Sequence, residues 1–273
     1  MIVTILGSGS SGNSLLVEAA GTRVLIDAGF SGRDLERRLA SVERDPASID
    51  AIFVTHEHGD HTRGIGVFAR RWGTPLFLGR RTRQACAALL TGSETVHEYS
   101  CVSPVTIGTL HIEPFLTVHD AVDPFAVTVT DPCTGEKLGI ATDLGRPTAA
   151  VRHALQNCDI LVLEANHDEI LLRESAYPWS VKQRIAGSHG HLSNRASADL
   201  AAEIHHDRLV SVVLAHLSEQ ANDPSLARDV IGARLVDLGY DGGVHVGDQH
   251  VALDPIDVGA LRSRLAPSQL SLL

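Results

Sequence analysis

At 273 residues with 44% apolar side chains and a mean hydropathy of +0.06, the chain can bury a full core and reads as globular. No apolar run approaches the ~20 residues of a membrane span, and a formal charge of −10 excludes an indiscriminate nucleic-acid coat. Cys86, Cys101, Cys133 and Cys158 lie far apart without a Cys-x-x-Cys, which argues against a disulfide framework and a thiolate zinc site. The start of the chain has no basic segment before its apolar residues, so no signal peptide is expected. The expectation is a cytoplasmic protein with no membrane partner.

In chain order, Ile2 to Leu6 predicts a strand, followed by Gly7-Ser8-Gly9-Ser10-Ser11-Gly12-Asn13-Ser14. This matches Gly-x-Gly-x-x-Gly, and Asp27 falls where a dinucleotide site wants its acid. That reading needs a helix straight after the glycines. Leu15 to Glu18 is instead a short strand, Ala20-Gly21-Thr22 a turn and Val24 to Asp27 a second strand. The dinucleotide hypothesis therefore fails. The glycine loop reads as backbone close to a site, with amides able to hold an anion, and Asp27 as an orienting partner for a metal-bound histidine.

An amphipathic helix opens at Ser31, with Leu35 and Leu39 at i,i+4. The apolar run Ala51-Ile52-Phe53-Val54 then leads into Thr55-His56-Glu57-His58-Gly59-Asp60-His61. A helix is predicted from about Thr62 to Arg71, a strand at Pro75 to Leu78 and a helix around Thr82 to Leu90. From Thr62 to Ser93 there is no acid, yet there are six arginines (63, 70, 71, 80, 81 and 83) with Phe68, Trp72 and Phe77 among them. They are either a solvated face or a local patch for an anionic polymer. Strands follow at 105–107, 110–116, 125–130 and 137–142, the last two joined through Pro132-Cys133-Thr134-Gly135. A helix over 147–156 has Pro147 in its first turn, and Ile160 to Leu163 is a strand. Short helices are predicted over 166–174 and 180–185, and a longer one from Arg195 to His206. Val210 to Leu214 is a strand, Asp223-Pro224 opens a helix to Gly239, and 244–253 is a final hairpin. This predicts one domain over residues 1–255 with a peripheral tail over 256–273. Mixed strands and helices favour two sheets packed face to face with helices outside, although a three-layer α/β fold would give a similar pattern.

His56 and His58 are two apart, so in extended backbone they project to the same side. Asp60 and His61 sit where the next helix begins, and the spacing suits two metal ions better than one. Other polar residues terminating apolar strands complete the set: His119 after Phe115 to Val118, Asp143 after Gly139 to Thr142, and His216 after Val212 to Ala215. His56, His58 and His119 would hold one metal and Asp60, His61 and His216 the other. Asp143 would bridge, since a carboxylate has two oxygens. Nitrogen-rich, thiolate-free coordination suits Zn²⁺, while the carboxylates keep Mn²⁺ or Fe²⁺ open.

The His56-x-His58-x-Asp60-His61 stretch resembles the hallmark of the metallo-β-lactamase superfamily, which implies an αββα sandwich, an α/β fold of two mixed sheets flanked by helices. Narrower stretches resemble the YycJ/WalJ (VicX-type) group within it. They are the glycine loop, His119 to Pro124, Glu164 to Asp168, Tyr177-Pro178-Trp179, Gly190 to Asn194 and Ala215 to Ser218. The chain departs from the group at Gln220-Ala221-Asn222 and at Ser175-Ala176, neither of which touches a proposed ligand. The resemblance implies a binuclear 5′-to-3′ exodeoxyribonuclease acting on single-stranded DNA, with Asp60 in the catalytic set. It also implies substrate contacts by Ser8, Ser10, Ser11, Asn13, Asn166, His167, Ser193 and Asn194. RNA or a small cyclic phosphodiester is an alternative substrate, and a non-enzymatic regulatory metal-binding protein the alternative class. Outside the ligand set, His191 is expected to be a general acid for the leaving alkoxide. Glu164 is expected to orient it, an order that resembles the proton-donating pair of tRNA 3′-processing enzymes.

Overall fold

The apolar residues of the strands divide between two layers with period two. In β1 (Ile2–Gly7), Val3 and Ile5 face one core while Leu6 faces another. The same alternation runs through β2 (Ser14–Ala19), β3 (Thr22–Ile26) and the strand at Ala51–Phe53, β4. A strand buried on both faces needs a sheet covered on both sides, and that is the architecture found. The computed structural model describes residues 1–265.

The remaining strands are β5 (Leu76–Gly79), β6 (Val96–Tyr99), β7 (Val105–Ile107), β8 (Leu110–Leu116), β9 (Phe125–Asp131), β10 (Glu136–Ala141), β11 (Ile160–Glu164), β12 (Ser211–Ala215), β13 (Gly243–Val246) and β14 (Ile256–Asp257). One seven-stranded sheet has the order β14-β1-β2-β3-β4-β5-β6 and the other β13-β12-β11-β10-β9-β8-β7. β3 to β6 run parallel in the first, and β10 to β13 in the second. Val17, Val24, Phe53, Val129, Ile160 and Val213 share the core between the sheets. The first sheet's outer face is covered by α1 (Gly32–Ser41) and by α3 (Ile65–Trp72), which follows the single turn α2 (Gly59–Thr62) and precedes α4 (Arg80–Ala85). The second sheet's outer face is covered by α5 (Ala149–Ala154), α8 (Asn194–Glu203) and α9 (Pro224–Val236). Between β11 and α8 come two short helices, α6 (Glu169–Glu174) and α7 (Trp179–Ile185). Ser31, Thr148, Asp168, Ser193 and Asp223 cap helix starts with their side chains.

Four expectations change. β6 was not anticipated: His97 and Glu98 face solvent on an edge strand, leaving only Tyr99 buried as an apolar signal. The predicted helix over 147–156 starts after Thr148, so Pro147 precedes the cap rather than filling the first turn. The final hairpin does not form. β13 pairs parallel with β12, Asp248 turns the chain by accepting the amides of His250 and Val251, and Ile256 crosses to pair with β1. Ile256 and Val258 enter the intersheet core, and α10 (Val258–Leu265) follows, so residues 256–265 belong to the domain rather than to a peripheral tail. The rest of that tail, 266–273, lies outside the described residues.

Phe53 is fully buried between the sheets and stacks on Tyr99 with ring centroids 4.2 Å apart. Phe53→Ala is expected to cost about 3–5 kcal/mol of unfolding free energy, read as a lower urea midpoint at unchanged slope.

Candidate metal centre

Parallel strands in both sheets bring their carboxyl ends to one edge of the sandwich, where side chains from distant segments converge. Asp27 follows β3, Thr55 to His61 follow β4, His119 follows β8, Asp143 follows β10, Glu164 ends β11 and His216 follows β12. Asp27, Asp143 and His216 have left-handed backbone, with φ of 63°, 55° and 57°. Aspartate and histidine enter that region more readily than most residues. Each such residue still costs on the order of 1–3 kcal/mol, so the surrounding fold must hold it. The loop after β4 is seated by close approach: a Cβ on Gly29 would lie 1.6 Å from the carbonyl oxygen of Asp60. That carbonyl accepts the Asn13 amide at 2.7 Å.

All seven residues expected to bind metal come together. His56, His58 and His119 form one set and Asp60, His61 and His216 another, with donor atoms in each set within 4.8 Å of one another. His58 Nδ1 lies 3.3 Å from His119 Nε2. Asp60 Oδ2 lies 3.5 Å from His61 Nε2 and 3.4 Å from His216 Nε2. Asp143 stands between, with Oδ2 3.1 Å from His61 Nε2 and Oδ1 3.6 Å from His119 Nε2.

The surrounding hydrogen bonds decide which nitrogens are free. Asp27 accepts the Thr55 amide, the Thr55 hydroxyl and His61 Nδ1, each at 2.8 Å. His56 Nδ1 lies 3.0 Å from that same hydroxyl, which is already donating to Asp27 and so accepts from the ring. His119 Nδ1 donates to the Gly190 carbonyl at 3.1 Å, and His216 Nδ1 to Glu164 Oε1 at 2.8 Å. The Nε2 atoms of all four rings are thereby turned inward, where a bound cation would take the lone pair of each. His56 Nε2, His216 Nε2 and Asp143 Oδ2 are buried without a hydrogen-bond partner. Orphaned polar atoms of this kind are costly in a dry interior. Divalent cations at the two sets would satisfy them, so the residues fit the group.

The electrostatics point the same way. Burial, reinforced by the neighbouring imidazoles, holds His56 well below the usual histidine range, so it is neutral. Burial would also lower His61 and His216, but the carboxylates around them outweigh it and hold both well above that range. Asp143 is pushed up by burial and held well below the carboxylate range by His216 and His61. Protons on two imidazoles thus compensate the buried acids, the task a cation would take over.

Glu164 is fully buried and connects the two loops beside the centre. Its Oε1 accepts His191 Nδ1 and His216 Nδ1 at 2.8 Å each, and its Oε2 accepts the amides of Leu144 and Leu192. Burial raises its pKa, but the two imidazoles outweigh this and bring it to about 2. His191 Nδ1 stands 3.8 Å from Asp143 Oδ1, outside both histidine sets. Gly190 provides close packing, since a Cβ there would lie 2.1 Å from the Arg184 carbonyl oxygen.

The expected substrate contacts divide. Ser8 donates to Asn13 and accepts the His216 amide, so its hydroxyl is engaged within the fold. Asn13 donates to the Gly9 carbonyl and stands 3.2 Å from Asp60 Oδ2. Asn166 donates to the His216 carbonyl, Ser193 caps α8 and donates to Glu169, and Asn194 exchanges two amide hydrogen bonds with Asn222. His167 is buried and its Nδ1 has no partner. Ser10 and Ser11 are exposed. The glycine loop is not the anion cradle its composition suggested. The amides of Ser8, Gly9, Ser11, Gly12 and Asn13 are all taken by groups within the chain. Gln249 backs the loop from the far end of the sequence, accepting from Ser11 and donating to Gly12. The arginine stretch is also partly neutralised. Arg70 pairs with Glu94, Arg71 with Glu36 and Arg83 with Glu98, while Arg63 and Arg81 reach only the carbonyls of Ser11 and Val122.

Sequence reasoning missed Thr55 and Gln249. Thr55 stood directly before the histidines, but Gln249 carries no local signal at all.

The chain belongs to the β-lactamase superfamily, whose domain model matches residues 22–217, and it is a metal-dependent hydrolase of the metallo-β-lactamase fold. Within that superfamily it belongs to the YycJ/WalJ group. It is 37% identical over 246 residues to exodeoxyribonuclease WalJ of Streptococcus pneumoniae, covering 88% of this chain and 90% of that one. To exodeoxyribonuclease YycJ of Bacillus anthracis it is 33% identical over 242 residues, covering 88% and 91%. The metallo-β-lactamase fold protein YhfI from Bacillus subtilis shares the fold, with a TM-score of 0.71 at 18% identity over 92% of this chain and 98% of that one. No helix among the described residues is long and apolar enough to cross a membrane.

Asp143→Asn keeps the shape and tolerates the left-handed backbone but removes the charge between the two sets. Elemental analysis is expected to fall from about two metals per chain towards one, with hydrolysis lost. Two metals and normal turnover in this variant would contradict the bridging assignment.

Proposed function

We propose that the chain is a metal-dependent nuclease, and specifically a 5′-to-3′ exodeoxyribonuclease acting on single-stranded DNA in the cytoplasm. The observation that carries the chemistry is the pair of ligand sets meeting at Asp143, with the Glu164–His191 pair alongside. The named activity of the relatives supports DNA as the substrate. His56, His58 and His119 would hold one cation and Asp60, His61 and His216 the other, Zn²⁺ or Mn²⁺ suiting the donors best, with Fe²⁺ also compatible. Bound there, two divalent cations supply a nucleophile near neutral pH and offset charge on the attacked phosphate.

The chain's own residues do the rest. Glu164 fixes His191 by accepting from Nδ1, which leaves Nε2–H as the donor to the departing sugar oxygen. Phosphodiester cleavage expels an alkoxide, a poor leaving group until it is protonated. The proton passes from imidazolium Nε2 to that oxygen as the phosphorus–oxygen bond breaks. Asp27, through Thr55 and His61, keeps the ligand rings in their tautomers. Ser10 and Ser11 are exposed in the glycine loop, whose Ser11 carbonyl accepts from Arg63 and whose Asn13 reaches Asp60, so an incoming strand would meet them there.

Digestion of DNA and RNA, single- and double-stranded and labelled at either end, tests the reading. Mononucleotides released from the 5′ end of single-stranded DNA are expected. Internal cuts, or hydrolysis of RNA alone, would overturn it. His191→Ala is expected to retain both metals and lose about 10²–10⁴-fold in DNA turnover. It should lose far less on a nitrophenyl phosphodiester, whose leaving group departs unprotonated. A missing metal would show that His191 is a ligand instead.

The arginines give a separate expectation. Replacing Arg63 and Arg81 together with Ala should reduce the slope of log K against log salt for single-stranded DNA by roughly 0.7 per lost phosphate contact. Replacing Arg70 and Arg71, which already face Glu94 and Glu36, should leave the slope unchanged.

A further inference from the structure

Trp179 is 69% exposed, and every other aromatic side chain among the described residues is buried or half-buried. A large indole held in water forgoes the burial that normally stabilises it. It does not ride on a loose loop. Tyr177, two residues before it, packs with Leu172, Val181, Ile185 and Ala221 in a small core of its own. Lys182 Nζ donates to the carbonyls of Arg173 and Ser175, tying α7 to the end of α6. The frame is fixed and the ring projects from it.

The other end of α7 bears on the metal centre. The Ile185 carbonyl accepts the His191 amide at 2.9 Å. Arg184 donates to Asp120 Oδ2 at 3.3 Å, and Asp120 Oδ1 lies 3.2 Å from His119 Nε2. Ile185 lies six positions after Trp179 in the helix, about 9 Å at ~1.5 Å per residue. That span is covered by no more than a few nucleotides of single strand. A cleavable strand entering the centre past His191 therefore has an exposed π-face within a few nucleotides of the scissile bond. Arg184, 62% exposed and paired with Asp120, lies between the two along the helix.

We infer that Trp179 is a stacking post for a base of the single-stranded substrate, fixing the strand a few nucleotides from the bond that breaks. The inference rests on the nuclease reading above. Stacking tolerates any base because every base has a π-face, so the post gives grip without sequence preference. A protein-docking patch is the competing use of an exposed tryptophan. One exposed ring on a helix that also carries the exposed Arg184, with exposed Arg173 on the preceding helix, matches a charged strand better than a contiguous apolar face, although Arg184 faces Asp120 and Arg173 lies 4.0 Å from Glu174.

The chain has two tryptophans. Trp72 is half-buried with its Nε1 donating to Glu36 at 3.0 Å, so quenching by a ligand at the surface reports chiefly on Trp179. Metal-loaded protein would be titrated with an eight-nucleotide phosphorothioate oligothymidylate, which resists cleavage. Quenching is expected in the wild type and absent in Trp179→Ala. Binding of that variant should be about 5- to 150-fold weaker, the worth of one base–aromatic stack. Trp179→Phe should recover most of it. On a twenty-nucleotide single strand, Trp179→Ala should raise KM by the same factor and leave kcat within about twofold. If wild-type protein digests DNA while Trp179→Ala matches it in quenching, affinity and KM, the stacking inference is wrong. If wild-type protein cleaves no nucleic acid under any metal, it is the nuclease reading that fails.

Discussion

Everything at the catalytic end of this fold follows from burying charge-bearing groups where water cannot compensate them. His56, His61, His119, His216, Asp27, Asp143 and Glu164 are all nearly inaccessible. An isolated buried carboxylate or imidazolium would be prohibitively costly. The structure meets that constraint by pairing. Asp27 takes His61, Glu164 takes His191 and His216, and Asp143 lies among three imidazoles. Of these residues, the atoms left unpaired are His56 Nε2, His216 Nε2 and Asp143 Oδ2, all members of the ligand sets. A cation there completes an arrangement that the protein alone leaves unfinished.

Holding the groups in place is the work of the sheets. Strand ends give fixed points, and left-handed backbone at Asp27, Asp143 and His216 turns the chain sharply at three of them. Such conformations persist only where the surroundings enforce them. Here the enforcing groups are backbone amides aimed at carboxylates: those of Asp143, Leu144 and Leu192 at Glu164, and that of Thr55 at Asp27. Glu164 thus links the loops of Asp143, His191 and His216, and a change at any one of them reaches the others through it.

Much of this was legible in the sequence because it is local. The His-x-His-x-Asp-His stretch follows an apolar strand, and His119, Asp143 and His216 each terminate one, so strand periodicity alone locates them at one end of a sheet. Asp27 was legible for the same reason. What stayed hidden depends on tertiary pairing. The glycine loop looked like an anion nest until Asn13 and Gln249 were seen to occupy its amides. The acid-free arginine stretch could be either a solvated face or an open patch until Glu36, Glu94 and Glu98 arrived from outside it. The chain end read as a hairpin and a tail because no local signal marks Ile256 as a strand crossing to the other sheet.

The most direct test of the central claim is anomalous diffraction from crystals of the metal-loaded protein. Two peaks about 3.5–4 Å apart are expected. One should lie among His56, His58 and His119, the other among Asp60, His61 and His216, with Asp143 touching both and His191 touching neither. A single peak, or a metal held by His191, would contradict the account.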